Sequence, residues 1–166
     1  MSFAAHGLRL NNMLHDFSLA GERVRLWQRI GESYEHVLMK ALGYALFVGD
    51  YPHLEIEIKI GLRYKPDLIA RGDGSGDDFD FWGECGQNSI RKTHWILKHT
   101  TTKKMALFKI GRANESLIKQ LRAEIPAKYR TGEKLVLINF VSEIVKLTET
   151  KQIAKVSKDW FTETVI

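Results

Sequence analysis

The sequence predicts a mixed α/β (α+β) fold, in which helices flank a mixed β-sheet and residues 1–166 form a single domain. The first observation is the order of apolar patterns along the chain. Strand-like and helix-like segments follow one another as β-β-α-β-β-β-α-β-α-β. The second is the length of 166 residues, with only three prolines. Such a chain suits one hydrophobic core and shows no linker between two domains.

The first part of the chain predicts a hairpin, a helix and a strand. Residues 10–19 and 22–30 are two predicted strands, and Ala20–Gly21 is a suitable turn between them. Residues 31–47 form a predicted helix, because their apolar residues recur at three- and four-residue spacing. Residues 53–61 alternate strictly between apolar and polar side chains, which is typical of a strand with one face in solvent.

The rest of the chain alternates strands with helices. Two short strands flank a loop rich in glycine and aspartate, at residues 66–70 and 79–86. Further helices are predicted at 88–100 and 114–129, further buried strands at 103–111 and 134–141, and two more short strands within 143–166.

The composition is that of a soluble globular protein, with 44% hydrophobic and 27% charged residues. No apolar run is long enough to cross a membrane, and residues 1–17 do not have the pattern of a signal peptide. Cys85 is the only cysteine and cannot form an internal disulfide. We therefore expect a cytoplasmic protein without a membrane partner. The net charge of +5 permits a nucleic-acid partner without requiring one.

Acidic residues are concentrated in the segment YKPDLIARGDGSGDDFDFWGECGQ. If its two strands pair symmetrically about Ser75–Gly76, Asp67 lies directly opposite Glu84, with Cβ atoms roughly 5 Å apart. Two carboxylates at that separation repel each other unless a cation lies between them. A hard divalent ion that prefers oxygen ligands, Mg²⁺ or Mn²⁺, removes the conflict. The register therefore predicts a metal site at Asp67 and Glu84.

A third carboxylate, Glu35, is predicted on the buried side of the first helix, since it precedes Leu38 by three residues and Leu42 by seven. A carboxylate on a buried face needs a partner, and a metal-bound water at the sheet is a suitable one. Alternation along residues 79–86 also assigns the two faces of that strand. One face is predicted to carry Phe79, Phe81, Gly83 and Cys85, and the other Asp80, Trp82, Glu84 and Gly86.

The sequence Pro66-Asp67 followed by Glu84-Cys85-Gly86 resembles the PD-(D/E)XK motif of the restriction-endonuclease-like superfamily. Within it the chain is most similar to the YaeQ family, through HDFSL, ESYEHVLMKALGYALF, the motif hairpin, IRK and KKMALFKIG. The resemblance implies a restriction-endonuclease-like fold and a metal-dependent phosphodiesterase, nuclease-like, that acts on nucleic acid. It also implies that Asp67 and Glu84 bind the metal. The helix with Glu35 precedes the motif, as in that fold.

Active members of the superfamily have a lysine two residues after the glutamate, which helps to activate or position the water. Here Gly86 occupies that position. Some members supply the lysine from the following helix instead, and Lys92 is the best candidate because it lies one turn into that helix. Arg91 and Lys98 are the alternatives for this role. Gln87 is a further residue that could line the site.

The segment from Asn88 to Arg112 contains no acidic residue. Lysine and arginine beside a metal are suited to a phosphodiester, because they bind the phosphates that flank the scissile one. The residues predicted to bind nucleic acid are Arg91, Lys98, Lys103 and Lys104.

Each feature has a structural alternative. Asp67 and Glu84 could be a turn aspartate and a solvated strand glutamate, and Glu35 could be held by the helix dipole alone. Lys92 could be an ordinary surface lysine. A functional alternative also stays open, which is a catalytically inactive protein on a nuclease fold that binds nucleic acid or a protein. The absent motif lysine favours that alternative, whereas the Asp/Glu pair favours the enzyme.

Overall fold

The structure is a computed structural model that describes residues 11–74 and 76–166. Leu10 and Ser75, which belong to the predicted first strand and hairpin centre, lie outside these residues. The described strands are β1 Met13–Leu19, β2 Glu22–Gln28, β3 Glu55–Ile56, β4 Leu68–Arg71, β5 Asp78–Cys85, β6 Thr101–Ile110, β7 Leu135–Phe140, β8 Gln152–Ile153 and β9 Phe161–Val165. The described α-helices are α1 Tyr34–Phe47, α2 Ile90–His99, α3 Glu115–Glu124 and α4 Ile144–Leu147.

The strands form two sheets. The larger has the order β3-β4-β5-β6-β7-β9, with β5, β6 and β7 parallel and the outer strands antiparallel to their neighbours. The smaller has the order β2-β1-β8. The predicted mixed α+β fold is confirmed, and β8 and β9 are the two short strands expected near the end of the chain. The separation of the first hairpin into its own sheet was not predicted.

Two apolar clusters cover the two faces of the larger sheet. On one face α1 and the smaller sheet pack on residues such as Phe81 and Phe108. On the other face α2 and α3 pack on residues such as Trp82 and Leu107. None of the described helices has the length and apolar character needed to cross a membrane.

Both long helices beside β5 begin at a serine cap. Ser33 Oγ accepts a hydrogen bond from the His36 N–H at 3.2 Å, and Ser89 Oγ accepts one from the Lys92 N–H at 3.0 Å. The caps fix where α1 and α2 start. They therefore place His36 and Lys92 in the first turns of helices that cover opposite faces of the sheet.

The predicted strand over residues 53–61 is wrong for most of its length. Only Glu55–Ile56 pairs with β4, and Ile58 is exposed. The strand ends because Glu57 has a φ of 56°, in the left-handed region that interrupts an extended chain. Its carboxylate reaches the buried amine of Lys40 at 2.6 Å. This ion pair accounts for a backbone conformation that apolar alternation cannot reveal.

The predicted faces of β5 are correct at its carboxyl end and wrong at Phe79. Phe81 and Cys85 pack in the α1 cluster, but Phe79 packs with Trp82 in the cluster on the other face. The cause is a bulge in β5 at Asp80, since the neighbouring residues Ala70 and Arg71 of β4 pair with Phe81 and Phe79. The bulge lies away from the end of β5 that carries Glu84.

Two glycines allow α1 to approach the sheet closely. A Cβ atom on Gly43 would lie 2.6 Å from Leu68 Cδ1, and one on Gly83 would lie 2.9 Å from Leu68 Cβ. Both would also lie close to the ring of Phe108. The packing of Leu68 and Phe108 against α1 and β5 therefore depends on the absence of these two side chains.

We predict that Gly83→Ala lowers the free energy of unfolding by about 1–3 kcal/mol, because the added methyl group overpacks the site. Gly49→Ala is the matched control, since a Cβ there meets nothing within 4 Å, and we expect a change below about 1 kcal/mol. Urea denaturation followed by circular dichroism measures both. Equal effects of the two substitutions would contradict the proposed close contact.

Candidate functional site

Asp67 and Glu84 lie side by side at the carboxyl end of β5. Leu68 pairs with Gly83 in the antiparallel ladder, and the Asp67 N–H donates to the Gly83 carbonyl at 3.2 Å. Asp67 precedes Leu68 and Glu84 follows Gly83, so the register predicted for this pair is confirmed. The site lies at the carboxyl ends of the parallel strands, where open α/β sheets bind their ligands.

Glu84 is a buried carboxylate, with a side chain only 4% exposed. Its Oε1 accepts a hydrogen bond from the indole N–H of Trp82 at 2.8 Å, and its Oε2 accepts one from Lys92 Nζ at 2.8 Å. Burial raises the pKa of Glu84, and the charge of Asp67 raises it further, although Lys92 and Trp82 act in the opposite sense. The two carboxylates therefore interact electrostatically.

Lys92 lies next to Glu84, as its place in the first turn of α2 predicted. Its amine donates directly to Glu84 from a helix that covers the same face of the sheet. Gly86, where the motif lysine would stand, has a φ of 78°, which disfavours any other residue. The predicted approach of a basic side chain from the following helix is confirmed as geometry.

Asp67 is held from the opposite side of the sheet. Its Oδ2 accepts a hydrogen bond from the Cys85 N–H at 2.8 Å, and its Oδ1 lies 3.5 Å from His36 Nε2. His36 Nδ1 lies 2.8 Å from Glu32 Oε1. The imidazole therefore bridges two carboxylates and satisfies both best as an imidazolium.

The bridge continues into a buried network of alternating charge. The side chain of Lys40 is 0% exposed, and its amine lies 2.6 Å from a carboxylate oxygen of both Glu32 and Glu57. Burial opposes protonation of His36, but Asp67 and Glu32 outweigh it and raise the pKa of His36 to about 9. Burial also opposes ionisation of Glu32, but its bonds to His36, the Arg29 N–H and Lys40 lower its pKa to about 2.

Glu35 is the predicted helical partner of the site, whereas the structure brings His36 there. Glu35 is partly exposed, and no hydrogen bond or ion pair among the described residues joins it to Asp67, Glu84 or Lys92. The spacing to Leu38 and Leu42 located the correct turn of α1 but not the correct side chain. The sequence feature that could have indicated the correct side chain is His36, the residue directly after Glu35.

The other residues predicted around the site divide into two groups. Arg91, Lys98 and Gln87 are exposed around α2 and the turn that precedes it. Lys103 and Lys104 lie at the other end of β5 and β6 from Glu84, and each pairs with an acid. The first lies 2.7 Å from Asp80 Oδ1 and the second 3.6 Å from Glu163 Oε1. The structure therefore does not bring Lys103 and Lys104 to the site.

Lys109 is a basic residue near the site that the sequence patterns did not indicate. It is buried on β6 and donates a hydrogen bond to the carbonyl of Gly86. Burial lowers the pKa of Lys109, and the nearby charge of Arg112 lowers it further. The sequence feature that could have indicated Lys109 is a lysine near the end of a strand predicted to be buried.

The two carboxylates fit a magnesium-type ion only in part. Among the described residues, no group of three or more His, Cys, Asp and Glu side chains is arranged to hold a metal. Each oxygen of Asp67 and Glu84 has one protein partner. A carboxylate has about four lone-pair sites, however, and Mg²⁺ commonly uses one or two carboxylates with waters and substrate phosphates. These donors therefore suit an ion whose remaining ligands come from outside the chain.

We predict that the His36 bridge makes stability pH-dependent on the alkaline side. The folded-state pKa of His36 is raised from 6.5 to about 9. Its contribution is therefore complete below pH 6.5 and is lost as the pH rises through about 9. The wild type should lose free energy of unfolding relative to His36→Gln across this interval, as urea titrations at several pH values can measure.

His53→Gln is the matched control for that titration, since His53 is half-exposed and pairs with Asp80 at the other end of β5. We expect it to keep the alkaline slope of the wild type. An unchanged slope in His36→Gln would contradict the role assigned to the imidazolium bridge.

Two solved structures share the fold of this chain. The YaeQ protein from Xanthomonas axonopodis pv. citri is 15% identical, with a TM-score of 0.55 over 95% of this chain and 96% of that chain. The YaeQ protein from Pseudomonas syringae is 14% identical, with a TM-score of 0.57 over 92% of both chains. No protein-family model and no curated protein matches the sequence. The chain is thus similar in fold, along nearly its whole length, to these two YaeQ proteins.

Proposed function

We propose that this protein is a metal-dependent phosphodiesterase of the nuclease type, on a restriction-endonuclease-like fold, with nucleic acid as its substrate. The observation that carries the proposal is the 2.8 Å contact between Lys92 Nζ and Glu84 Oε2, beside Asp67. Lys92 pairs with Glu84 although the lysine is absent from its motif position, and the charge of Asp67 acts on the same carboxylate. This arrangement supports an Asp, Glu and Lys site assembled from a hairpin and the next helix.

Each residue of the proposed site has a separate role, which follows from its contacts. A divalent ion bound by Asp67 and Glu84 would polarise the scissile phosphate and lower the pKa of an attacking water. Trp82 fixes the orientation of Glu84 through its indole N–H, and the Cys85 N–H and His36 fix that of Asp67. The Lys92 ammonium would neutralise charge that develops on the phosphate or orient the attacking water.

His36 is a positioning residue in this proposal. It does not touch Glu84 or Lys92 by any hydrogen bond or ion pair within the described part of the chain, but it holds Asp67 from the α1 side. It also reduces the negative charge that the Asp67–Glu84 pair presents to an approaching phosphate. Its removal should therefore weaken both metal binding and substrate binding.

The second candidate function is a nucleic-acid-binding protein without catalysis. The observation that favours it is the partner set of the two carboxylates, since all four oxygens already contact a protein group. Lys92 and His36 would then act only as counter-ions. Binding of a divalent ion at Asp67 and Glu84 distinguishes the enzyme from the binding protein.

We predict that Mn²⁺ and Mg²⁺ raise the Tm of the wild type, because a ligand bound only by the folded state stabilises it. Asp67→Asn and Glu84→Gln should lose this response. Asp159→Asn, an exposed acid far along the chain, is the matched control and should respond as the wild type does. Equal Mn²⁺ binding by the wild type and Asp67→Asn in calorimetry would exclude this site.

We predict that Lys92→Ala lowers Mn²⁺-dependent cleavage of nucleic acid by at least about 100-fold, because it removes a positioned cation from the developing charge. Labelled single- and double-stranded DNA and RNA substrates measure the cleavage on gels. Lys119→Ala removes an exposed lysine from α3 and should cleave as the wild type does. Full activity of Lys92→Ala would transfer the role to Arg91 or Lys98. Absence of cleavage in the wild type with every substrate would favour the binding protein.

A further inference from the structure

We infer that the surface formed by α2 and residues 58–66 binds single-stranded nucleic acid by stacking bases on Tyr64 and on Trp95, next to Lys92. The inference deepens the proposed function and rests on it, since it names the substrate as a single strand. We call this surface the aromatic ledge.

The aromatic ledge is a contiguous set of rings and cations. The rings of Tyr64 and Trp95 meet edge to face with centroids 5.3 Å apart, and Trp95 stacks on His99 at 4.7 Å with an interplanar angle of 20°. The guanidinium of Arg63 lies 5.3 Å from the Tyr64 centroid and 6.0 Å from that of Trp95. Both rings are only partly buried, whereas Arg63 and His99 are exposed. A base can therefore reach the Tyr64 ring when the exposed Arg63 side chain moves aside, and the Trp95 ring when the exposed His99 side chain does.

The charge around the rings is complementary to phosphate. Residues 58–66 and 88–112 contain no acidic residue, and these are the two segments that supply the rings. Within residues 11–74 and 76–166, no ion pair engages Arg63, Arg91 or Lys98. These cations keep their charge available for a partner. By contrast, Lys103 and Lys104 at the far end of the sheet are paired with acids.

Lys92 joins the aromatic ledge to the candidate site. Its amine donates to Glu84 and lies 5.3 Å from the centroid of the Tyr64 ring. A base stacked on Tyr64 would therefore belong to a nucleotide beside the phosphate that Lys92 and the carboxylates would contact. The same lysine would define the distance between the stacked base and the scissile bond.

The rings favour a single strand over a duplex. Stacking on a side chain requires a free base face, which a single strand offers and a paired, stacked duplex does not. Base–aromatic stacking tolerates any sequence, because every base has a π-face. The ledge should therefore bind single strands with little sequence preference and with an affinity that falls as salt rises.

Binding to fluorescein-labelled oligothymidylate and oligouridylate of about 15 nucleotides tests the inference by fluorescence anisotropy in EDTA. Tyr64→Leu and Trp95→Leu keep apolar bulk but remove the π-face, and each should weaken binding roughly 5- to 100-fold. Trp27→Leu, which removes an exposed tryptophan from β2, should bind as the wild type does. A duplex of equal length should bind more weakly, and the two oligonucleotides show whether the strand is DNA or RNA.

Trp95→Phe gives a second readout that does not depend on the leucine variants. It keeps an aromatic face and should keep the affinity within about 2-fold, but lose the quenching of tryptophan fluorescence that a stacked base causes. Folded leucine variants with unchanged affinity, a duplex bound as tightly as a single strand, or unchanged quenching in Trp95→Phe would each overturn the inference. Because EDTA removes any metal, loss of cleavage or metal binding with intact ring-dependent binding would refute only the enzyme.

Discussion

The arrangement of this site depends on two carboxylates that the β4–β5 register brings together, each neutralised by a cation from a different helix. Lys92 of α2 holds Glu84, and His36 of α1 holds Asp67. The two helices cover opposite faces of the sheet, so the two carboxylates are held by contacts from both faces. Without these cations, the buried Glu84 and the partly buried Asp67 would repel each other at the end of one hairpin and destabilise it.

The ion pairs that link Glu32, Lys40 and Glu57 to His36 explain two features that would otherwise destabilise the fold. Lys40 is fully buried, and a buried ammonium requires close counter-ions, which Glu32 and Glu57 supply. Glu57 adopts a left-handed backbone to do so, and its N–H donates to the Asp67 carbonyl at 2.9 Å. The same residue thus ends β3, neutralises Lys40 and anchors the backbone of Asp67. A supporting shell of this kind keeps the two carboxylates in one geometry.

Local patterns in the sequence were enough to predict the features governed by local geometry. The pairing of residues 67 and 84 followed from a symmetric hairpin, and the approach of Lys92 followed from its place in the first turn of α2. The prediction of a strand over residues 53–61 is wrong because Glu57 forms an ion pair with Lys40, which is distant in sequence, and the chain bends there. The predicted face of Phe79 is wrong because a bulge at Asp80 of β5 shifts the pairing with β4. His36 and Lys109 were missed because their roles depend on contacts made across helices and strands.

The central claim is that Asp67 and Glu84 together bind a divalent ion with Lys92 beside it. The most direct test is an anomalous difference map from a crystal grown with Mn²⁺ and collected at the manganese absorption edge. The account predicts one peak about 2.0–2.2 Å from an oxygen of both carboxylates, with the remaining ligands supplied by water. A map without a peak between these carboxylates at saturating Mn²⁺, with the Lys92–Glu84 contact intact, would contradict it.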